Sequence, residues 1–265
     1  MWRADGWDAK WRLGVLTPLA DRGPESELNA MAPSEVGIHA ARVPFAAMAP
    51  GGTMEQTIPL APVRAFAEPP HIDDATEALA AIPIHAIGVG FTSSAYVIGA
   101  EGEVAMLDRL KARSNGLPVV ATGEAAIRAF HKLGSRRVAL FDPPWFDAHL
   151  NSLGRAYYET AGFEVVFSSP CDLPSDQSLI QPGPLFDWVL AHVPDSADAV
   201  MIGGNGFRAV GVIEALETNL GRPVLTANQV LLWAMLGAAG ATVEIRGYGR
   251  LFESARRSTP SDHDA

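Results

Sequence analysis

Two glycine-rich runs, each following a predicted strand, place polar groups where a small molecule could bind. The first run is Gly88-Val89-Gly90-Phe91-Thr92-Ser93. It is similar to a dinucleotide-binding fingerprint, but Ser93 replaces the third glycine and no acidic residue ends the next strand. Thr92, Ser93 and Ser94 instead offer three hydroxyls beside backbone N–H groups. This combination suits a carboxylate or a developing enediolate.

The second run is Gly203-Gly204-Asn205-Gly206, at the start of a predicted helix. Glycines let backbone N–H groups approach a ligand closely, so this turn is a second candidate anion site. Ordinary tight turns between a strand and a helix would carry the same glycines, and that alternative stays open. Arg208, just after the run, either holds a substrate carboxylate or lies at the surface.

The elements that must position these runs alternate between apolar strand patterns and helical patterns, which is typical of a parallel α/β sheet. The patterns predict strands near 12–17, 36–44, 84–91, 117–121, 136–141, 163–168, 197–203 and 222–226. They predict helices near 24–32, 71–81, 100–114, 123–133, 145–161, 183–192, 207–219 and 228–239. Several of these helices are expected to end at a glycine, namely Gly134, Gly162 and Gly221.

The two halves of the chain resemble each other. Pro118-Val119-Val120 and Pro223-Val224-Leu225 both lead into helices and lie roughly 105 residues apart. Val15-Leu16-Thr17-Pro18 similarly parallels Leu140-Phe141-Asp142-Pro143. The repeat predicts two similar Rossmann-like lobes that face each other across a cleft. Ligands bind beyond the carboxyl ends of parallel strands, so the loops after these strands are expected to surround one site.

The repeat and the turn residues between predicted elements also suggest a division of the chain into lobes. We expect residues 12–121 with 228–253 to form the first lobe, residues 122–227 to form the second, and residues 254–265 to be a disordered tail. Residues 46–70 are rich in proline, glycine and alanine without a clear period. They predict a long loop, which is either a lid over the site or an ordered surface excursion.

Composition excludes several classes of protein. The chain has 265 residues, of which 48% are hydrophobic and 19% charged, and this is typical of a globular protein. A net charge of −10 repels nucleic acid and anionic membranes, so neither is an expected partner. The stretch 230–243 is too short to cross a bilayer and predicts a buried helix. The residues before Leu13 show no secretory pattern, so a cytoplasmic location is expected.

Cysteine and histidine usage narrows the chemistry. The single cysteine, Cys171, excludes an internal disulfide and a cysteine-cluster metal site. No histidine spacing suggests a metal, so we expect neither a metal nor another cofactor. The expected partner is a small-molecule carboxylate, and a homo-oligomer is left open.

Several segments together carry a resemblance to a known family. They are Leu13-Gly14-Val15-Leu16-Thr17-Pro18, Thr92-Ser93-Ser94, Gly203-Gly204-Asn205-Gly206, Gly221-Arg222-Pro223-Val224 and Gly247-Tyr248-Gly249-Arg250-Leu251-Phe252. Over residues 12–252 the chain resembles the arylmalonate decarboxylase and maleate isomerase branch of the aspartate/glutamate racemase superfamily. The resemblance implies two α/β lobes related by a pseudo-twofold axis. It also implies a cofactor-free site between them that acts on carboxylates through an enediolate or a cysteine adduct.

The same resemblance places Phe91 and Gly204 where the family carries its cysteines. Cys171 matches neither position and is interpreted as structural. Asp21 aligns with an asparagine of maleate isomerases, and Pro144 with a loop tyrosine. The Thr92-Ser93 pair matches the family's anion-stabilising pocket. Gly204→Cys would put back the second thiol and is expected to test whether the site geometry is kept.

Without thiols at these positions, attack by a cysteine and racemisation by two cysteine bases are excluded. Decarboxylation requires only fixed donors, desolvation and a proton source. Asp21, Tyr96, Asp142 and His149 are the candidate proton donors. The expected site has two sets of residues. The catalytic set is Thr92, Ser93, Asp21 and Tyr96, and the substrate-binding set is Thr17, Pro18, Phe91, Ser94, Pro144, Trp145, Gly204, Asn205 and Gly206.

These residues predict a cofactor-independent lyase or decarboxylase acting on a carboxylate-bearing small molecule. Two alternatives remain from the sequence. One is a catalytically silent member of the family that binds a carboxylate, which the missing cysteines suggest. The other is an isomerase or racemase that works without cysteine.

Overall fold

The computed structural model describes residues 5–53 and 56–253, and it contains two four-stranded parallel sheets flanked by helices. The strands are β1 (Trp11–Pro18), β2 (Val36–Val43), β3 (Ala86–Val89), β4 (Val119–Ala121), β5 (Arg137–Asp142), β6 (Glu164–Pro170), β7 (Ala199–Ile202) and β8 (Val224–Thr226). Every predicted strand overlaps an observed one. The prediction of an α/β fold built from two similar parallel sheets is confirmed.

The two sheets share one strand order, β2-β1-β3-β4 in the first and β6-β5-β7-β8 in the second. The order makes β1 the counterpart of β5 and β3 the counterpart of β7, as the internal repeat predicts. Central strands are fully buried because helices cover both faces: β3 and β7 expose none of their residues. All pairs are parallel, so the carboxyl ends of the strands in each sheet point the same way.

Ten helices are present in the described part of the chain. They are α1 (Gly23–Met31), α2 (Leu60–Ala67), α3 (His71–Ala80), α4 (Thr92–Arg113), α5 (Thr122–Leu133), α6 (Ala148–Thr160), α7 (Pro182–His192), α8 (Ile213–Leu220), α9 (Ala227–Ala238) and α10 (Arg250–Glu253). Gly134 and Gly221 end α5 and α8 in the left-handed conformation, with φ of 71° and 67°, as predicted.

The prediction that residues 46–70 form one long loop is wrong at its second half, where α2 lies. The loop was expected from the proline, glycine and alanine content of the segment, but Pro62 falls in the first turn of α2, where a missing N–H costs no helical hydrogen bond. Val63 and Phe66 are fully buried, so packing stabilises this short helix.

Three helix starts also differ from the sequence prediction. α4 begins at Thr92 rather than near residue 100, and Gly99, with a φ of 71°, interrupts it. The predicted helix near 100–114 is therefore the second part of α4, and residues 92–98 form a first part that was not predicted. α6 begins at 148, where the Asp147 carboxylate accepts the Leu150 N–H at 2.7 Å. α8 begins at 213 and follows a 3₁₀ turn at Val210–Val212. The first correction matters most, since it puts the hydroxyls of residues 92–94 in the first turn of a helix.

α9 follows β8 of the second sheet but packs on β3 of the first. A β-carbon placed on Gly88 would lie 2.6 Å from Met235 Sδ and 3.0 Å from Leu231 Cδ1, so the helix sits directly on the strand. A capping box between Thr226 and Gln229 fixes where α9 starts. The division into lobes at these boundaries stays a prediction, and the predicted tail, residues 254–265, lies outside the described residues.

The apolar stretch 230–243 falls largely in α9, where residues 230–236 are buried except for Trp233, as expected. Residues 239–243 follow the helix and are half-buried or exposed. None of the helices within residues 5–53 and 56–253 has the length and apolar character that a membrane crossing requires.

Candidate active site

A small cavity with mostly buried walls, called here the closed cavity, lies between the two sheets, next to the loops that follow β1, β3, β5 and β7. It holds about 20 Å³. Nine of the predicted site residues line it, and they follow the strand ends of the internal repeat: Pro18, Asp21, Phe91, Thr92, Ser93, Trp145, Gly204, Asn205 and Gly206. The structure therefore brings together most of the residues expected from the sequence.

The remaining predicted residues lie beside the cavity and not on its wall. Thr17 is fully buried in β1, and its hydroxyl has no hydrogen-bond partner among the described residues. The Ser94 hydroxyl donates to Phe91 O at 2.7 Å, which is a bond within its own turn. Pro144 is half-buried in the turn that precedes Trp145.

The other candidate proton donors also fall outside the cavity. Tyr96 is buried, packs edge-on against Phe146 and does not line the cavity. Asp142 is buried and accepts the Asn151 side-chain N–H at 2.7 Å. His149 is exposed on α6. Asp21 is the carboxylic acid that lines the cavity.

Five residues of the wall were not predicted from the sequence. Phe45, Met48 and Ile58 come from the segment 44–59, and Phe146 and Gln177 come from the second half of the chain. The composition of residues 46–70 suggested a lid, which was the available signal for the first group. Nothing in the sequence pointed to Gln177, because it lies in a 3₁₀ turn, Gln177–Leu179, outside the repeat.

The segment 44–59, called here the covering segment, closes the cavity from the first sheet to the second. The Ile58 N–H donates to Trp145 O at 3.0 Å, and the Ser175 hydroxyl donates to Gln56 O at 2.8 Å. Met54 and Glu55 lie outside the described residues. With about 20 Å³ the cavity has room for roughly one water molecule. A larger ligand therefore requires the covering segment to move.

Asp21 has the electrostatics of a buried acid. Its Oδ1 accepts the Gly23 N–H at 2.8 Å and the Gln177 side-chain N–H at 3.0 Å. Burial raises the pKa of Asp21 above its usual value, and these two bonds with the Arg42 charge oppose the rise only in part. Because both donors use Oδ1, Oδ2 is the oxygen that can carry a proton.

Asn205 joins the two glycine-rich turns through its side chain. Its Oδ1 accepts the Thr92 N–H at 2.8 Å and the Thr92 hydroxyl at 2.7 Å. Its Nδ2 donates to Thr122 Oγ1 at 3.1 Å and to Asn228 Oδ1 at 2.9 Å. Thr92 is thus fully engaged with Asn205, and the Ser93 hydroxyl is the one that remains for a ligand. The Ser93 N–H, in the first turn of α4, has no intrahelical partner.

Glu27 extends this network to the far side of the cleft. It lies on α1, yet its Oε1 accepts the N–H groups of Ala209 at 2.6 Å and Val210 at 3.0 Å from the second half. Its Oε2 accepts the Asn228 side-chain N–H at 2.8 Å. These bonds fix the position of the 204–210 turn relative to the first sheet.

Phe91 and Gly204 stand at the two positions that the resemblance assigns to cysteines, and their surroundings differ. The Phe91 ring packs against Phe45 and Phe66, with ring centres 4.9 Å and 4.4 Å away. Gly204 has a φ of 80°, and a β-carbon there would lie 2.3 Å from Pro143 Cγ. The turn therefore accepts only glycine at position 204 in this conformation.

Gly204→Cys is consequently expected to lower the free energy of unfolding by about 2–4 kcal/mol rather than to supply a working thiol. The measurement is urea denaturation, with Gly183→Cys as the control. Gly183 lies in the first turn of α7, and a β-carbon there meets no other atom within 4 Å. A Gly204→Cys variant as stable as the control would show that the turn rearranges to admit a side chain.

Cys171 does not line the cavity. It is buried after β6, where its N–H donates to Asp142 O at 2.9 Å. Burial, with a smaller contribution from the Asp142 charge, raises the pKa of its thiol. These features fit the structural role that the sequence suggested. Within the described residues no group of three histidine, cysteine or acidic side chains is placed to hold a metal ion.

Three further buried carboxyls give stability a predictable pH dependence. Burial raises the pKa of Glu27, Glu103 and Asp142 to about 7 each. In the unfolded chain these groups ionise near pH 4, so folding favours their protonated forms. The stabilisation is complete below pH 4 and is lost as pH rises through about 7. The free energy of unfolding should therefore fall between pH 5 and pH 8, by about 1.4 kcal/mol per carboxyl for each pH unit between its two pKa values.

Urea denaturation across this range measures the slope. Glu103→Gln is the matched variant, because an amide oxygen can still accept the Tyr157 hydroxyl that bonds to Glu103 Oε2. This variant should reduce the pH dependence of the free energy of unfolding by the contribution of one carboxyl. A free energy of unfolding that stays level or rises from pH 5 to pH 8 contradicts the prediction.

Comparison with known proteins places this geometry in a family. The family model for arylmalonate decarboxylase matches residues 68–252, which is more than half of the chain. The chain belongs to the arylmalonate decarboxylase family. Its relatives in this family and its structural neighbours are decarboxylases and isomerases. A sequence search among curated proteins gave no significant match.

Solved structures show the same fold at low identity. Maleate isomerase from Pseudomonas putida S16, in a cysteine-to-alanine variant with maleate, superposes with a TM-score of 0.80 at 20% identity, covering 92% of this chain and 98% of that one. Nocardia farcinica maleate cis-trans isomerase, with a covalently bound succinylcysteine intermediate, gives 0.78 at 20%, covering 91% and 98%. Unliganded arylmalonate decarboxylase gives 0.75 at 19%, covering 92% and 99%.

Proposed function

We propose that this protein decarboxylates a small malonate-like acid without a cofactor and that Asp21 is the proton donor. One observation carries the proposal: a buried carboxyl with a raised pKa shares a closed cavity with the Ser93 hydroxyl, at the start of α4. An acid of this kind can protonate a carbanion, and a fixed donor can hold the negative oxygen that forms beside it. Membership of the arylmalonate decarboxylase family supports the same reaction class.

The polar side and the apolar side of the cavity would hold the two carboxylates of the substrate differently. The carboxylate that stays on the substrate accepts hydrogen bonds from the Ser93 hydroxyl and N–H. The carboxylate that leaves lies against the apolar wall formed by Phe45, Phe91 and Trp145, where poor solvation favours the loss of CO₂. The electron pair of the broken C–C bond enters an enediolate. Asp21 Oδ2 then gives its proton to the α-carbon, and solvent restores the acid.

The size of the cavity makes opening part of the cycle. A malonate-like acid is much larger than one water molecule, so Phe45, Met48 and Ile58 of the covering segment must move before it binds. Closure afterwards removes water from the reacting groups, which strengthens the electrostatic stabilisation of the enediolate.

The reaction class is tested by proton NMR in D₂O with arylmalonates, maleate and α-aryl carboxylates. Loss of CO₂ with one deuteron at the α-carbon supports the proposal. Conversion of maleate to fumarate would instead indicate the isomerase alternative, in which oxygen acids replace cysteine. Binding of these acids without turnover, seen as thermal stabilisation, would indicate a silent carboxylate-binding protein.

Ser93→Ala should lower kcat/KM for an arylmalonate by about 10²-fold, because it removes one donor to the developing oxyanion. Steady-state decarboxylation rates measure the effect. Ser152→Ala is the control, since Ser152 is exposed on α6 and its hydroxyl only bonds to His149 O. Equal rates for Ser93→Ala and the wild type would remove Ser93 from the proposed site.

A further inference from the structure

A second and larger cavity adjoins the closed one, and we call it the outer cleft. It lies between the first and second halves of the chain. Arg22, just before α1, and Ser26 and Glu27 of α1 form one side, and Gln177, Gly206 and Arg208 form the other. Its volume is about 510 Å³. Cavities of this size accommodate small organic molecules. None of the steps proposed above uses Arg22, Ser26 or Arg208.

The two arginines of the outer cleft come from opposite sides of it. In the described part of the chain neither forms an ion pair, whereas arginines such as Arg42 and Arg109 do. Arg208 donates only to the neutral Gln181 side chain at 3.3 Å. Arg22 lies near the exposed Asp176, whose pKa is lowered mainly by Ser178 and to a smaller degree by Arg22. In a chain of net charge −10, two such guanidinium groups in one cleft favour an anion.

Glu27 is the one carboxylate on the wall of the outer cleft, and its oxygens are already occupied. Ala209 N, Val210 N and the Asn228 side chain donate to it, as described above. These three bonds offset its charge, and burial raises its pKa to about 7. Glu27 therefore opposes an anion less than an exposed carboxylate would.

Gln177 and Gly206 belong to the walls of both cavities, so the Gln177 side chain lies where the two cavities meet. It is only 8% exposed. Its Nε2 donates to Asp21, while its buried Oε1 has no partner among the described residues. A buried amide oxygen without a protein partner can accept a hydrogen bond from water or from the donor of a ligand. The same side chain thus lines the outer cleft and bonds to Asp21.

We propose that the outer cleft is a carboxylate-binding site in which Arg22 and Arg208 hold a small organic acid from opposite sides. Guanidinium groups bind carboxylates through charge-assisted and often bidentate hydrogen bonds. The site does not depend on turnover. Where the proposed decarboxylation holds, it adds a docking position for the substrate next to the closed cavity.

Isothermal titration calorimetry with succinate, a dicarboxylate that has no malonate-type bond to lose, tests the site. The neutral diamide of succinate serves as the matched probe without charge. Arg22→Ala and Arg208→Ala should each weaken succinate binding by at least about tenfold, since each removes a charged donor. Arg22→Lys and Arg208→Lys should lose less, because the charge remains.

Two controls separate this site from charge in general and from the closed cavity. Arg136→Ala removes an exposed arginine just before β5, at the opposite end of the sheet, and should leave succinate affinity unchanged. Ser93→Ala should also leave it unchanged, although it lowers decarboxylation. Arginine-dependent binding in a protein that decarboxylates nothing would support the outer cleft and reject the proposed function.

Three outcomes would overturn the inference. The first is that wild-type protein shows no saturable heat with succinate in the millimolar range. The second is that both arginine-to-alanine variants bind like the wild type. The third is that Ser93→Ala abolishes binding, which would place succinate in the closed cavity.

Discussion

Asp21→Asn should lower kcat for arylmalonate decarboxylation by about 10²- to 10⁴-fold, because the amide cannot give a proton to the carbanion. The change is nearly isosteric. Its Oδ1 can still accept the Gly23 and Gln177 N–H groups that bond to Asp21, so the fold should be kept. Stopped-flow or NMR assays of CO₂ loss give the rate, and thermal denaturation checks the fold.

Asp142→Asn is the matched control for that result. Asp142 is another buried carboxyl with a raised pKa, but it does not line the cavity. Its rate should stay near that of the wild type. An Asp142→Asn variant that loses as much activity as Asp21→Asn would mean that both act through stability or long-range charge, and Asp21 would lose its assigned role.

The pH dependence of kcat/KM is a second test of Asp21 as the proton donor. Activity requires protonated Asp21, so kcat/KM should fall as pH rises through the raised pKa of Asp21. The Gln177 bond favours the charged carboxylate and lowers this pKa. Gln177→Ala should therefore move the falling limb to higher pH. A limb that does not move would show that another group controls it.

Asn205→Ala is the variant expected to cost the most stability, at about 3–5 kcal/mol of the free energy of unfolding. It leaves the Thr92 N–H and Asn228 Oδ1 buried without partners, and the bond to Thr122 is lost as well. Each unsatisfied buried group costs about 1–3 kcal/mol. Activity should fall too, because Thr92 no longer holds the first turn of α4 against the 204–207 turn.

Urea denaturation measures this loss. Asn219→Ala is the control, since Asn219 is exposed on α8 and its side chain bonds only to Ala215 O. That control should stay within about 0.5 kcal/mol of the wild type. If Asn205→Ala were equally mild, the network between the glycine-rich turns would contribute little to the fold.

The strands were predictable because each is a short apolar run between turn residues. The internal repeat added a second, independent indication for the strands that it pairs. Prediction from the sequence failed where a local signal was ambiguous. Pro62 resembled a loop residue although it lies in a first helical turn. The first part of α4, residues 92–98, was missed because it is short and Gly99 separates it from the predicted helix.

The cavity was predictable from strand ends, whereas its chemistry was not. Asp21 stood among four candidate donors until its place on the cavity wall separated it from Tyr96, Asp142 and His149. Gln177 carries no pattern at all, because a single residue in a 3₁₀ turn leaves no periodic trace. The conformation of Gly204, with Pro143 beside it, also depends on a contact between distant segments. A small-molecule acid as partner, a cytoplasmic location and a homo-oligomer stay predictions.

The path of α9 has a consequence for the order in which the chain folds during synthesis. β3 leaves the ribosome early, but the helix that sits on Gly88 is made more than a hundred residues later. Until Leu231 and Met235 arrive, the part of the first sheet around β3 and β4 lacks the helix that covers it, although α1 already packs beside it. Apolar surface there stays exposed during the synthesis of the second sheet, and such surface favours aggregation.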